Sequence, residues 1–189
     1  MQTFDADLHI HSPYSIAVSQ NLNLDTMLDT ASKKGIQILG TGDITQPNWR
    51  SYLKEKLEYE KGVYKYKTLY FILQTELEDN ESIHHVVFLP DFASADRLQE
   101  VLDPYVKDIK GRWAGRPHVN KSPAEIVELV ESVGGICGPS HAFTPFKSIF
   151  RQGKYRNLSD AYGGAEKKVA YLELGLSADT ILADRMSCL

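Results

Sequence analysis

The stretch Ala6-Asp7-Leu8-His9-Ile10-His11-Ser12 decides how the rest of this chain is read. Phe4 to His11 has the residue types of a short strand. Side chains alternate faces along a strand, so Asp7, His9 and His11 share one face, and Leu8 and Ile10 take the other. Two imidazoles side by side at a strand end suit a metal ion. Imidazole is mainly neutral at pH 7 and then binds zinc, iron or manganese. With six histidines in 189 residues, about 0.2 His-x-His pairs are expected by chance. The pair therefore carries weight only if further ligands gather at other strand ends.

Outward from this stretch, strand and helix signals alternate. Leu24 to Lys34 reads as a helix with Asn23 as its N-cap and Gly35 as its stop. Ile36 to Leu39 reads as a strand running into Gly40-Thr41-Gly42-Asp43, and Trp49 to Lys61 as a charged helix. Leu69–Leu77 and Val86–Leu89 read as strands. Ala95 to Ile109 is helical but interrupted by Pro104, and 110–120 is a loop rich in Gly, Arg and Pro. Ser122, Pro123 and Gly134-Gly135 delimit a helix over Pro123–Val133. Ile136–Gly138 and Val169–Leu174 are further strands. Residues 142–164 are irregular, and Ala178–Met186 is a last helix. This alternation predicts an α/β fold with a largely parallel sheet.

On that frame His9, His11, Asp43, Glu76, His141 and Glu173 each fall near the C-terminal end of an apolar strand, the rim that carries the chemistry in a β/α barrel. If Asn80-Glu81 is a two-residue turn, Glu76 faces His85 across a hairpin; a longer turn brings in His84 instead. Histidines and carboxylates converging on one rim can hold two or three metals, activate water and neutralise phosphate oxygens. Each residue has a plainer alternative. Asp43 can cap the next helix, His84 or His85 can be a surface hairpin residue, His141 can sit in a turn, and Glu173 can be structural. Beyond His141, Phe143, Phe146, Lys147, Phe150, Arg151, Lys154, Tyr155 and Arg156 interleave aromatics with cations. Such a stretch can track a nucleic-acid backbone and stack a base, or simply be a charged loop over a Phe core.

The length is that of one domain. Net charge is −4, which gives no overall basic signal, so nucleic-acid binding would need a local patch. Met1 is followed by polar residues and no apolar run reaches membrane-spanning length. Cys137 and Cys188 read as free thiols. The expectation is a cytoplasmic protein with no membrane association. There is no Walker-type loop, no CxxC and no Ser-His-Asp order.

Leu8-His9-Ile10-His11-Ser12 resembles the first motif of the PHP (polymerase and histidinol phosphatase) metallophosphoesterases. Gly42-Asp43 resembles the second, Glu76 the third, His85 the next and Ser140-His141 the one after. The resemblance implies a distorted seven-stranded β/α barrel with up to three metals at its rim. Two departures stand out. Asp43 is followed by Ile44 where the family has His, and the family's late Asp-x-His is not in this sequence. The narrower resemblance is to the endonuclease Q branch. It rests on Gly40 to Pro47, His84-His85 to Leu89-Pro90, His141 to Pro145, and Leu172 to Ser177.

This resemblance implies a metal-dependent phosphodiesterase, a DNA-repair endonuclease that nicks 5′ to uracil, hypoxanthine or abasic sites. Residues 1–189 would be a single PHP-like catalytic domain, incomplete at its C-terminus and without the branch's C-terminal modules. His9, His11, Glu76, His85 and His141 would bind two or three divalent ions, zinc with manganese, iron or magnesium as alternatives. Asp43 and Glu76 would be catalytic, and Phe143, Phe146, Lys147 and Arg151 would bind the DNA. The alternatives are a phosphatase for a small phosphomonoester and a non-catalytic fragment that binds metal or nucleic acid.

Overall fold

The computed structural model describes residues 3–175. The helix expected over 178–186, Leu176-Ser177 and Cys188 lie outside them. Seven strands form one sheet: β1 Ala6–Asp7, β2 Ile38–Gly40, β3 Glu58–Glu60, β4 Val63–Tyr66, β5 Leu69–Glu78, β6 His84–Leu89 and β7 Ile136–Pro139. The order runs β1-β2-β5-β4-β3, and β6 joins β5 to β7. Only β1–β2 and β2–β5 pair in parallel. The β3–β4, β4–β5, β5–β6 and β6–β7 pairs are antiparallel. The sheet is therefore mixed rather than largely parallel: short loops join β3 to β4, β4 to β5 and β5 to β6, which only antiparallel neighbours allow, while β7 returns antiparallel to β6 after α3 and α4. Among the described residues it is open, since β1 and β7 do not pair, and it corresponds to a distorted, incomplete PHP-like barrel.

Helices α1 Leu24–Lys34, α2 Pro47–Lys56, α3 Phe92–Leu102, α4 Pro123–Ser132 and α5 Leu158–Tyr162 accompany the sheet. Local chemistry sets their ends. Asn23 accepts from the Thr26 N–H, and Gly35 closes α1 at φ 73°. Ser122 and Glu125 form a reciprocal capping box on α4, with Pro123 in its first turn. The helix expected to reach Lys61 stops at Lys56. Beyond it, aromatic and charged residues alternate from Tyr59 to Tyr66 around Lys61 (φ 51°) and Gly62 (φ 95°), and fold as a hairpin. Val169–Leu174, expected as a strand, is an extended strip along β7. Its Ala170 and Glu173 N–H groups donate to Cys137 O (2.9 Å) and Pro139 O (3.2 Å).

The long strand β5 organises the interior. Its first half alternates buried and half-buried residues, but Leu73 to Leu77 is buried without a break. Phe71, Leu73 and Leu77 join the apolar core with Leu53, Leu98 and Ile126. The intervening Gln74 and Glu76 point to the opposite face, which carries the site. No described helix is long and apolar enough to cross a membrane.

Candidate metal centre

Only Ala6-Asp7 of the expected first strand pairs in the sheet. The chain beyond it lies against the end of β2, where Gly40 and Gly42 permit the approach. A Cβ on Gly40 would sit 2.7 Å from Leu8 O, and one on Gly42 (φ +66°) 2.9 Å from the His11 carbonyl carbon. That close approach brings His9 and His11 over β5, where Nε2 of each reaches the Glu76 carboxylate, at 3.2 and 3.5 Å. His84 Nδ1 lies 3.1 Å from Glu76 on another side and His141 Nε2 3.6 Å. Four imidazole nitrogens thus surround one carboxylate that is 1% exposed.

The hairpin register decides which histidine of the His84-His85 pair belongs here. The loop is three residues, Asn80-Glu81-Ser82, so Glu76 pairs with Val86 and Glu78 with His84. Directly paired antiparallel residues share a face, so His84 joins Glu76, and His85 points the opposite way. His85 is therefore not part of the metal centre, contrary to the two-residue-turn expectation. It is fully buried, with Nε2 2.8 Å from Asp79 Oδ2 and Nδ1 3.3 Å from the Tyr162 hydroxyl. The missed signal was Asp79, whose Oδ1 accepts from the Glu81 and Ile83 N–H groups (both 2.8 Å). Such an Asx-type turn favours a longer loop.

Asp43 also takes a different place from the catalytic one expected. It is fully buried behind His11, with Oδ1 3.0 Å from His11 Nδ1. Its Oδ2 accepts from the Ser12 N–H (2.7 Å), the Ser12 hydroxyl (2.6 Å) and the Ser15 hydroxyl (2.9 Å). The surrounding turn is pinned by the first turn of α2. There the Trp49 indole N–H donates to Thr41 O and Gly42 O, and Arg50 to Ile44 O and Thr45 O, each at 3.0 Å. Glu173 backs His9 in the same way, 2.9 Å from its Nδ1, and accepts the His141 N–H at 2.7 Å. Glu78 lies 3.3 Å from His84 Nε2, and Thr144 Oγ1 3.0 Å from His141 Nδ1. Each imidazole is thus held from behind while its other nitrogen faces Glu76, the arrangement that orients metal-ligating histidines. Asp43 (φ 44°) and His141 (φ 31°) both occupy the left-handed region, and such strain collects at functional sites.

The electrostatics match a cation site. Burial alone would raise the Glu76 pKa, but the imidazoles of His141, His84 and His9 outweigh it and hold the carboxyl far below the usual range. Burial lowers that of His9, yet Glu173 and Glu76 overcome this and bring it up to about 10. Glu173 is lowered too, with burial outweighed by His9. Glu76 Oε1 and His84 Nδ1 are buried and close, yet neither has an aligned hydrogen-bond partner. Two orphaned buried donor atoms fit ligands that share a cation. The side chains form two candidate groups, His9-His11-Glu76 and Glu76-His84-His141. Within each, the donor atoms lie within 4.8 Å of one another. Glu76 is common to both, so its carboxylate would serve a cation held by either group.

The centre opens into a cavity of about 930 Å³ lined also by Arg116, Phe146 and Lys147. Phe146 is 77% exposed. The other two expected DNA contacts are used internally. Phe143 stacks on Phe150 at 5.2 Å between ring centres. Arg151 donates to Ser82 O (2.6 Å) and Glu81 O (2.7 Å), which closes the β5–β6 loop. Arg116, which no motif in the sequence singles out, donates to Glu76 Oε2 at 3.3 Å.

No family model matches the chain. The lesion-specific endonuclease PfuEndoQ from Pyrococcus furiosus superposes with a TM-score of 0.88 at 37% identity, over 96% of this chain and 44% of that one. The chain has a PHP-like metallophosphoesterase fold closely related to that of endonuclease Q. A second endonuclease Q structure, in complex with a 27-mer duplex substrate with an abasic lesion at the active site, gives a TM-score of 0.85 at 37% identity. It covers 94% of this chain and 44% of that one. An uncharacterized protein of Methanocaldococcus jannaschii, MJ0043, is 36% identical over 156 residues, 82% of this chain and 18% of that protein. The chain therefore spans less than half the length of these endonuclease Q chains and about a fifth of MJ0043.

Proposed function

We propose that this chain carries the metal centre of a DNA-nicking phosphodiesterase acting at abasic sites and deaminated bases. The observation that carries the proposal is the Glu76 carboxylate shared by two histidine pairs in a fold 37% identical to endonuclease Q. The imidazole-rich donor set suits zinc, iron or manganese better than magnesium. When bound, such ions supply Lewis-acid activation of water and neutralise phosphate oxygens.

The chain's own residues supply the rest. Glu76, His9, His11, His84 and His141 would hold the ions, and Asp43, Glu173 and Glu78 fix the imidazole planes. Arg116 places a guanidinium beside the carboxylate at the cavity floor, where a phosphate oxygen can meet it. Phe146 offers a stacking face on the wall, beside Lys147, whose ammonium is paired with Glu78. A damaged or missing base costs less to extrude from the stack, which lets such a cavity select lesions.

The test is an end-labelled duplex with one abasic site, one uracil or neither, incubated with protein reconstituted with zinc, manganese or iron. Nicking only at the lesion, lost on chelation and in Glu76→Gln, supports the reading. Hydrolysis of p-nitrophenyl phosphate alone would assign the small-phosphomonoester alternative. Stoichiometric metal without turnover of either substrate would assign a binding role.

A further inference from the structure

Among the described residues many cations are paired. Lys33, Lys54, Lys65, Lys67, Lys121 and Lys147 each lie within 3 Å of a carboxylate oxygen. Within residues 107–118, between α3 and α4, three cations cluster without such a partner, while Arg116 pairs with Glu76 at 3.3 Å. Lys107, Lys110 and Arg112 are exposed there, and among the described residues none has a carboxylate within 4.0 Å. Trp113 stands with them, 52% exposed, with the Arg112 guanidinium 5.2 Å from its ring centre.

The loop is fixed against the metal centre. Ile109 and Ala114 are buried. The Gly115 N–H donates to Tyr14 O (3.2 Å), and a Cβ on Gly115 would come 2.5 Å from Asp43 Oδ2. Only glycine lets the loop lie directly on the carboxylate that holds His11. At the far end Val119 N–H donates to Glu78 O (2.7 Å). A cavity of about 650 Å³ along this loop shares the Arg116 side chain with the metal cavity, so the two adjoin at that residue.

We propose that residues 107–118 form a nucleic-acid-binding ridge. Lys107, Lys110 and Arg112 hold backbone phosphates of the strand leaving the metal centre, and Trp113 stacks on one of its bases or on an exposed base pair. The inference rests on the DNA reading above and adds the surface that guides the strand. Uncompensated cations on a chain of net charge −4 cost self-repulsion little and gain counterion release when phosphates replace solvent. An arginine over the indole keeps the ring presented for stacking, which is tolerant of base identity.

Intrinsic fluorescence tests this directly. Trp49 is 3% exposed and Trp113 is 52% exposed, so quenching by a bound base reports on Trp113. The intact protein in chelator is titrated with an abasic duplex, a single strand, heparin, and vesicles containing phosphatidylserine. The expected result is quenching by both DNAs, absent in Trp113→Phe, with affinity about tenfold weaker in Trp113→Ala. Lys107→Gln/Lys110→Gln/Arg112→Gln should flatten the salt dependence by about two to three units of log-log slope. A Trp49→Phe variant should keep the quenching. DNA that binds with unchanged Trp113 fluorescence and unchanged affinity in the triple variant would overturn the ridge while leaving the nicking proposal intact. So would binding to vesicles alone. Quenching and salt dependence as expected, with no nicking of any lesion, would keep the ridge and refute the proposed reaction.

Discussion

His84→Ala and His85→Ala should fail in opposite ways, although the residues are adjacent. His85 is fully buried and pairs with a fully buried Asp79 at 2.8 Å. Its removal leaves Asp79 Oδ2 without a partner and the Tyr162 hydroxyl without an acceptor. Breaking a buried pair from one side costs about 3–5 kcal/mol. In a chain of this size that lowers Tm by roughly 10 °C. His84 instead supplies a donor atom to the Glu76-His84-His141 group. Its loss should remove one metal equivalent per chain. In chelator it should cost only about 1–2 kcal/mol, because Glu78 keeps its ion pair with Lys147. The assay is urea unfolding with and without chelator, alongside elemental analysis of the zinc-reconstituted variants. Chelator matters because bound metal would add its own stabilisation. If His85→Ala lost metal at unchanged chelator stability while His84→Ala kept it, the register argument would be refuted.

Asp43→Asn should weaken metal binding about 10–100-fold by calorimetry, since it withdraws the acceptor that orients His11 while leaving every donor atom in place; unchanged affinity would refute its positioning role. His9 holds its proton up to about pH 10 in the metal-free protein, so metal binding through this imidazole must expel it. Apparent affinity should rise with pH by up to about tenfold per unit below that value, with proton release seen in buffers of different ionisation enthalpy. The same raised pKa stabilises the metal-free fold fully below about pH 6.5, and that contribution is lost as pH rises through about 10; a chelator-treated protein with flat stability over that window would contradict it. Gly42→Ala should cost about 1–3 kcal/mol, because φ is +66° and the new Cβ meets the His11 backbone. It should empty the His9-His11-Glu76 group while Glu76-His84-His141 still binds, which metal stoichiometry will show.

The sequence by itself determined what depends on neighbours along the chain. Asn23 and Gly35 bounded α1, and Ser122, Pro123 and Gly134 placed α4, because capping satisfies backbone groups within one turn. Strand alternation put His9 and His11 on one face, and Glu76 opens onto that same cavity. The resemblance to the endonuclease Q branch followed from short motifs that keep their spacing. Tertiary structure decided what depends on register and closure. A one-residue difference in the Asn80–Ser82 loop exchanged His84 for His85, since a strand's period of two turns any such slip into a change of face. It moved Asp43 and Glu173 behind the imidazoles, because only packing fixes which side of a ring a carboxylate reaches. It also spent Phe143 and Arg151 on the interior and left Lys107, Lys110, Arg112 and Trp113 facing solvent. Whether a cation or a ring is free to bind depends on partners brought near by distant parts of the chain, and no local pattern records them.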